Sequence, residues 1–308
     1  MKVNKLIIPI LIALTAFLFA DKQIYNNYYY KKPSQFEFLK SMPRDYKEYY
    51  KIVTNKEYLP ELLTVALSTG ILIAADEELI IEAKKIGTKL NISNDDRTKT
   101  FFRILDQPIR FPTDFGSSLY FIGDGWTHLG ISSGFLLYGK LFDDYRALQT
   151  ASQIAEGMAT AGLLTQIIKH ITGRTSPFRS EDGHSDKWTP FPNQIEYHKN
   201  VSAYDAFPSG HMAVTMATVT VIAENYSEHN FIWPIGYTAM VLLGFQMMNN
   251  GVHWISDYPL SLAMGYHLGK IAAKNGRKKL NNTNNSFKIT PYISPNKSIG
   301  MSLMYNFK

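Results

Sequence analysis

Six long stretches between residues 59 and 274 carry apolar residues at helical spacing. They are 59–87, 123–144, 145–173, 211–225, 231–248 and 257–274. Period-two alternation, which is typical of strands, is nearly absent from this region. A chain patterned in this way buries its apolar faces by packing helix on helix. We therefore predict an all-α fold in which residues 61–275 form a helical bundle.

The two ends of the chain are patterned differently. Residues 21–60 are dense in tyrosine and lysine and lack a sustained helical period, which favours an N-terminal extension with short helices. Residues 276–308 begin as a polar linker, after which apolar residues fall on odd positions between 287 and 307. Period two predicts strands, and Pro-Asn-Lys at 295–297 favours a turn between them. This tail is predicted to form a short C-terminal β-hairpin.

The first twenty residues have the layout of an export signal. Lys2 and Lys5 precede an apolar run at residues 6–20, which ends in small and polar residues and is too short to span a bilayer comfortably. The chain has no cysteine, which excludes thiolate metal sites and a cysteine nucleophile. We predict that residues 1–20 are a signal peptide and that the protein works in a bacterial cell envelope, in the periplasm.

Charge and hydropathy narrow the class of partner. The mean hydropathy of −0.15 is that of a soluble protein, and helices shorter than a membrane span favour a soluble or peripheral enzyme over an integral one. The net charge of +6 falls to +4 without the signal peptide. That balance suits anionic substrates or a membrane surface, but no basic stripe with exposed aromatics indicates nucleic acid. The oligomeric state is not indicated.

The sequence Pro-Ser-Gly-His at 208–211 stands directly before the apolar run of 211–225. A helix N-terminus offers unpaired N–H groups and a positive dipole end, so Gly210 would let the backbone approach an oxyanion while Ser209 caps or contacts it. His211 then stands where it could donate a proton to a leaving oxygen. The alternative is a packed polar residue that caps a core helix.

Two further stretches lie forty-two residues away on either side of His211. The upstream one ends a predicted helix with Lys169 and Arg174. The downstream one places His253 and Asp257 four residues apart, a spacing that lets the carboxylate meet the imidazole and raise the basicity of its other nitrogen. The alternative is a core histidine and an aspartate that caps the following helix.

For other polar residues, the sequence does not decide between a structural and a functional role. Residues 176–206 form a long stretch without a predicted element, and loops of that length are usually functional or mobile. Asp205 in this stretch is expected at the surface. Trp126 and His128 form a polar and aromatic cluster that suits either packing or function.

The order and spacing of these residues resemble the type 2 phosphatidic acid phosphatases, a family that includes bacterial acid phosphatases and vanadium haloperoxidases. Its pattern is K-x6-R-P, P-S-G-H and S-R-x5-H-x3-D, and eight of these eleven positions are present between residues 169 and 257. The resemblance implies a phosphohistidine on His253, oriented by Asp257, with His211 as the acid for the leaving group. It assigns the phosphoryl oxygens to Lys169 and the amides of Ser209 and Gly210.

Three family positions are changed. Ser176 replaces the arginine of the first motif, and Gln246 and Met247 replace the serine and arginine of the third. Each arginine would clamp phosphate with charged hydrogen bonds of about 1.5 to 3 kcal/mol, so their loss weakens phosphate binding by roughly a hundredfold unless other cations compensate. Arg174 or Arg179 could replace them. We predict that Arg174 turns back toward the site, and Ser176 and Gln246 remain candidate substrate ligands.

The sequence therefore predicts an exported phosphatase that hydrolyses a phosphomonoester or a pyrophosphate. Lipid phosphates, isoprenoid pyrophosphates and small phosphoesters all remain open as substrates. A binding protein that kept the fold after losing catalysis is the second hypothesis. A vanadate-dependent haloperoxidase is less favoured, since it also requires arginines around an oxyanion. No metal or other cofactor is expected, because the histidines lack ligand spacing such as H-E-x-x-H.

Overall fold

The computed structural model describes residues 24–104, 106–180, 187–280, 287–293 and 299–305. The predicted signal peptide at 1–20 lies outside these residues, as does the segment 181–186 of the long loop. Residues 31–276 form one compact unit, and the segments before 31 and after 276 form a second.

The larger unit is mainly helical, which confirms the predicted all-α fold. Its helices are α1 (Glu37–Thr54), α2 (Leu59–Ile73), α3 (Asp76–Lys89), α4 (Phe115–Phe121), α5 (Gly125–Phe142), α6 (Tyr145–Thr172), α7 (Gln194–Lys199), α8 (Gly210–Asn225), α9 (Ile232–Asn249) and α10 (Tyr258–Lys274). Polar side chains accept hydrogen bonds from first-turn amides and so fix where several helices begin. These caps are Asp114 on α4, Asp124 on α5, Asp144 on α6 and Ser209 on α8.

Helix α8 lies at the centre of the bundle and packs against α6, α9 and α10. Its contact with α10 is close, because a Cβ atom on Gly269 would lie only 2.6 Å from the carbonyl oxygen of Ala217. Ala213 and Ala217 pack there with Leu268. A second cluster joins α8 to α9 and α10 through Met212, Met216, Met240, Leu243, Met247 and Tyr258. Small residues thus bring α8 and α10 together, and larger ones fill the space toward α9.

The stretch 59–87 divides into two helices, α2 and α3, which meet at an angle of 69°. The three acidic residues at 76–78 explain the division, because carboxylates are favourable in the first turn of a helix. Among the described residues, no single helix is long and apolar enough to cross a membrane. The bent pair Lys56–Ile73 and Asp76–Lys89 passes that test by length and composition alone.

The N-terminal extension contains an 18-residue helix, α1, where only short helices were expected. The buried positions of α1 hold Ser41 and Asp45, so its inward face does not stand out as an apolar period. The hydroxyl of Tyr46 donates to the carbonyl oxygen of Thr160 at 2.9 Å and ties α1 to α6. Helix α1 is therefore held on the bundle partly by hydrogen bonds and not by an apolar face alone.

The long loop and the region before α4 also hold elements that the sequence pattern did not predict. Helix α7 and short turns at Pro177–Arg179 and Val201–Ala203 lie in the loop. A β-hairpin is formed by β3 (Thr98–Ile104) and β4 (Gln107–Pro112), numbered in chain order among all strands. The two prolines of β4 argue against a strand, but they are tolerated because this sheet has only edge strands.

The described residues of the smaller unit lie mainly in strands. Strands β1 (Ile24–Tyr25), β2 (Tyr28–Tyr30) and β5 (Arg277–Lys279) form an antiparallel sheet in which β2 is central. Strands β6 (Phe287–Ile293) and β7 (Ile299–Tyr305) pair antiparallel, with Ile293 opposite Ile299. The predicted C-terminal hairpin is confirmed.

Candidate active site

His253 is held by two acceptors on the same ring nitrogen. Its Nδ1 lies 2.7 Å from the carbonyl oxygen of Ala206 and 3.3 Å from Oδ2 of Asp257. Both neighbours only accept, so Nδ1 carries the proton and the lone pair lies on Nε2. The backbone amide of Trp254 donates to the same Asp257 oxygen at 2.8 Å. A buried imidazole fixed in this tautomer has the nucleophilic nitrogen that attack on phosphorus requires.

His211 stands in the first turn of α8, opposite His253. The two ring centroids are 6.2 Å apart, and the ring of Tyr120 on α4 lies 4.8 Å from that of His211. Burial, together with the nearby His253 and Lys169, lowers the pKa of His211 to about 3. His211 is therefore neutral at pH 7 unless a negative charge arrives beside it.

The helix N-terminus at Ser209 and Gly210 is only partly available to a ligand. Ser209 caps α8 by accepting from the amide of Met212 at 3.4 Å, and its own amide donates to the carbonyl oxygen of Asp257 at 3.2 Å. The expectation that the Ser209 amide holds a phosphoryl oxygen is therefore corrected. The amides of Gly210 and His211 belong to the first helical turn, where N–H groups have no intrahelical acceptor.

Lys169 lies in the last turn of α6 with a buried side chain. Its Nζ is 3.5 Å from Oδ2 of Asp205, so the residue expected at the surface is an ion-pair partner at the site. A long contact of this kind balances the buried ammonium without holding all three of its protons. Lys169 thus keeps the capacity to donate to an oxyanion.

Arg174 does not face a phosphoryl group, which corrects the prediction that it replaces the missing arginines. It is fully buried, and its Nη1 donates to Asp257 Oδ1 at 2.5 Å while its Nη2 donates to Asp76 Oδ2 at 2.6 Å. The guanidinium also lies over the rings of Trp188 and Trp254, at 4.6 and 5.5 Å from their centroids. Two carboxylates and two indoles hold the guanidinium inside the protein, where it forms an ion pair with Asp257.

Gln246 is likewise committed elsewhere. Its amide nitrogen donates to the carbonyl oxygen of Ser93 at 2.8 Å and to Asn250 Oδ1 at 2.5 Å. Both N–H groups are used, which corrects its expected role as a substrate ligand. Ser176 is buried, and its amide donates to the carbonyl oxygen of Ser202 at 3.0 Å.

Met247 occupies the second family arginine position. Its side chain is fully buried in the apolar cluster of α8, α9 and α10. Its sulfur accepts from the hydroxyl of Ser209 at 3.6 Å. A thioether therefore lies beside the helix N-terminus where the family pattern has a guanidinium.

Asp76, Ser256 and the Ala206 carbonyl were missed by the sequence reasoning. Asp76 opens α3, and its position among three consecutive acids indicated only a favourable helix start. The backbone of Ala206 carries no residue-type signal at all. His128 of the polar and aromatic cluster is buried, with Nε2 3.2 Å from the Thr215 hydroxyl, and burial lowers its pKa to about 4. Within the described residues, no group of three or more histidines and acids is arranged to hold a metal ion.

Fold and site together define a helical-bundle protein with a carboxylate-supported histidine facing the N-terminus of its central helix. Residues 150–280 match the family model of the PAP2 superfamily. The resemblance that the three motifs indicate is confirmed. No curated protein matches the chain significantly.

Two solved structures resemble the chain over part of its length. One is the crystal structure of LpxE from Aquifex aeolicus, with 17% identity, a TM-score of 0.39, and coverage of 52% of this chain and 84% of that one. The other is a transmembrane PAP2 type phosphatidylglycerolphosphate phosphatase from Bacillus subtilis, with 17% identity and a TM-score of 0.40. Its comparison covers 70% of this chain and 95% of that one.

Proposed function

We propose that the chain is an exported phosphatase that hydrolyses a phosphomonoester or a pyrophosphate through a phosphohistidine. The observation that carries the proposal is the contact of His253 Nδ1 with Ala206 and Asp257, which leaves the Nε2 lone pair for attack. The PAP2 superfamily match supports a phosphatase-type function for this domain.

In the first step, Nε2 of His253 forms a bond to phosphorus while the bond from phosphorus to the leaving oxygen breaks. Protonated His211 gives its proton to that oxygen, and the negative charge of the arriving phosphoryl group is what favours the protonated form. In the second step, neutral His211 takes a proton from water as the water oxygen attacks phosphorus. The bond to Nε2 breaks and phosphate leaves, after which His211 releases its proton to solvent and both histidines have returned to their resting state.

Lys169 and the first amides of α8 supply the positive potential for the phosphoryl oxygens in this proposal. The position of Lys169 is supported by its 3.5 Å contact with Asp205 and by its charge, which helps to lower the pKa of His211. Met247 takes the place of one family arginine, so the site carries less positive charge than the family pattern. We expect weaker phosphate binding than that pattern would give.

We also propose that the enzyme works at the surface of a membrane in the bacterial envelope, where a lipid phosphate is one of its substrates. Helix α2 supports this, because a stripe of aliphatic side chains four residues apart is 51 to 70% exposed. These residues are Leu59, Leu63, Leu67 and Ile71. Exposed apolar surface of this extent is typical of a contact surface.

A phosphate-release assay with the mature chain tests the proposal on small phosphomonoesters, lipid phosphates and isoprenoid pyrophosphates. We expect turnover that His253→Gln abolishes and that His211→Gln lowers by roughly 10²- to 10⁴-fold. His229→Gln is the matched control, because His229 is half exposed. A folded protein that is inactive on all substrates yet binds vanadate would instead be the repurposed binding protein, a candidate that Met247 favours.

A further inference from the structure

Asp76, Arg174 and Asp257 form a chain of alternating charges that ends at His253. Asp76 accepts from Arg174 Nη2 at 2.6 Å, and Arg174 Nη1 donates to Asp257 at 2.5 Å. All three side chains have no exposed surface. They come from the start of α3, the loop after α6 and the turn before α10, so the chain joins three distant parts of the sequence.

Ser256 forms hydrogen bonds to both Arg174 and Asp76 and so stabilises this arrangement. Its hydroxyl accepts from Arg174 Nη1 at 2.7 Å and donates to Asp76 Oδ2 at 2.5 Å, while its amide donates to Asp76 Oδ1 at 3.1 Å. Asp76 is the acceptor in each of its bonds, the pattern of an ionised carboxylate. Burial raises the pKa of Asp76, but the hydrogen bonds of Ser256 and the charge of Arg174 oppose that rise.

We propose that Asp76 and Arg174 are positioning residues for the nucleophile, which hold Asp257 in one orientation and set how much of its negative charge reaches His253. The inference rests on the proposed function, since it takes His253 as the nucleophile. Arg174 alone would neutralise Asp257 beside the imidazole. Asp76 offsets that cation, so the three groups keep one net negative charge next to His253.

The other charges around His253 come from different elements. Lys169 lies on α6 and is paired with Asp205, and His211 on α8 is neutral at rest because its pKa is about 3. His128 on α5 is also neutral at pH 7, since burial lowers its pKa to about 4. The charge that stabilises a cationic His253 ring therefore comes mainly from the carboxylate of Asp257.

Asp76→Asn tests the charge role, because it removes the balancing anion and keeps the shape of the side chain. Asp257 is then neutralised by Arg174, so an imidazolium at 253 is less favoured and the acid limb of the kcat/KM profile moves to lower pH. We expect kcat to fall by roughly 10- to 100-fold with little change in KM, the range known for residues that orient a metal-ligating histidine. Asp76→Asn/Arg174→Met restores one net negative charge and returns the limb to its wild-type position.

Arg174→Lys tests the orientation role. A lysine keeps the charge but cannot donate to both carboxylates in fixed geometry, so kcat should fall while the acid limb stays in place. Glu78→Gln is the matched control for Asp76→Asn, because it removes an exposed carboxylate two residues along the same helix. Each variant is first checked for folding by its thermal midpoint.

The outcomes separate this inference from the proposed function. Labelled phosphate on His253 in the wild-type protein, together with a wild-type kcat and pH profile in folded Asp76→Asn, would overturn the positioning role alone. If Asp76→Asn does not fold, an unchanged kcat in Arg174→Lys overturns it. Absence of label from His253 during wild-type turnover would instead overturn the proposed function.

Discussion

The proposed acid step depends on how His211 acquires its proton. Burial together with His253 and Lys169 lowers its pKa to about 3, so above that pH the free protein holds this imidazole without a proton. A phosphoryl group arriving between His211 and Lys169 brings negative charge that favours the imidazolium. Anion binding and proton uptake at His211 are therefore coupled.

We expect vanadate or phosphate binding to be accompanied by uptake of close to one proton per anion near pH 6, well above the pKa of His211 in the free protein. Titration calorimetry in buffers of different ionisation enthalpy measures this number. His211→Gln should bind the anion with little uptake. Equal proton uptake by the variant and the wild-type protein would contradict the assignment of the proton to His211.

Restoring arginine at positions 176 and 247 tests what the missing arginines would contribute to anion binding and to stability. In Ser176→Arg/Met247→Arg, a guanidinium enters the apolar cluster around Leu243 and Tyr258, and burial of a charge there destabilises the fold. Vanadate should then bind more tightly than to the wild-type protein. At about 100 times its Kd, it raises the free energy of unfolding of the variant by about 2.7 kcal/mol. Thermal unfolding with and without vanadate checks both effects. A variant whose midpoint vanadate does not raise would show that position 247 cannot reach the anion.

The contact between α8 and α10 sets the distance between the two histidines, because His211 opens α8 and His253 precedes α10 by a few residues. Gly269→Ala puts a methyl group 2.6 Å from the Ala217 carbonyl oxygen. We expect it to lower the free energy of unfolding by roughly 1 to 3 kcal/mol. Gly134→Ala on α5 is the control, since its Cβ meets nothing within 4 Å and helix propensity should make it neutral or stabilising. Equal thermal midpoints for the two variants would contradict the close crossing.

Helices with a broad apolar face were predictable from the sequence, and α5, α6, α8, α9 and α10 all lie where the pattern indicated. Helix α1 was not recognised, because Ser41 and Asp45 face inward and interrupt the apolar period. The β3–β4 hairpin was missed because its prolines resemble loop signals. The spacing of apolar residues therefore predicts elements that are stabilised by apolar burial. It misses a helix held by hydrogen bonds and a strand whose prolines are tolerated at a sheet edge.

The candidate site also contains residues that the sequence predicts and residues that it does not. Motif spacing predicted His211, His253, Asp257 and Lys169 as site residues, because that spacing reflects helix termini that meet in space. The direction in which Arg174 points could not be read from sequence, since it depends on Asp76 almost a hundred residues away. A contact at that separation leaves no local signal in one sequence.

The exposed stripe on α2 bears on where the protein works as a folded unit. We expect the mature chain, beginning near Asp21, to associate with anionic lipid vesicles and to be released without detergent. Leu63→Gln/Leu67→Gln should weaken vesicle binding at least about tenfold, because each leucine contributes roughly 1.5 to 3 kcal/mol on full burial. The control Leu63→Ile/Leu67→Ile keeps the apolar surface and should bind normally. Sedimentation with vesicles measures the difference, and equal binding by both variants would exclude α2 as the contact surface.

The central claim is that His253 becomes covalently phosphorylated during turnover, and rapid quenching tests it most directly. The mature protein is mixed with a phosphomonoester labelled in its phosphoryl group, quenched within milliseconds in alkali, and digested for mass spectrometry. A label on the peptide that contains His253, stable in alkali and lost in acid, is the predicted result, and His253→Gln should carry none. Wild-type turnover with no label on His253 at any quench time, or normal turnover in His253→Gln, would contradict the account.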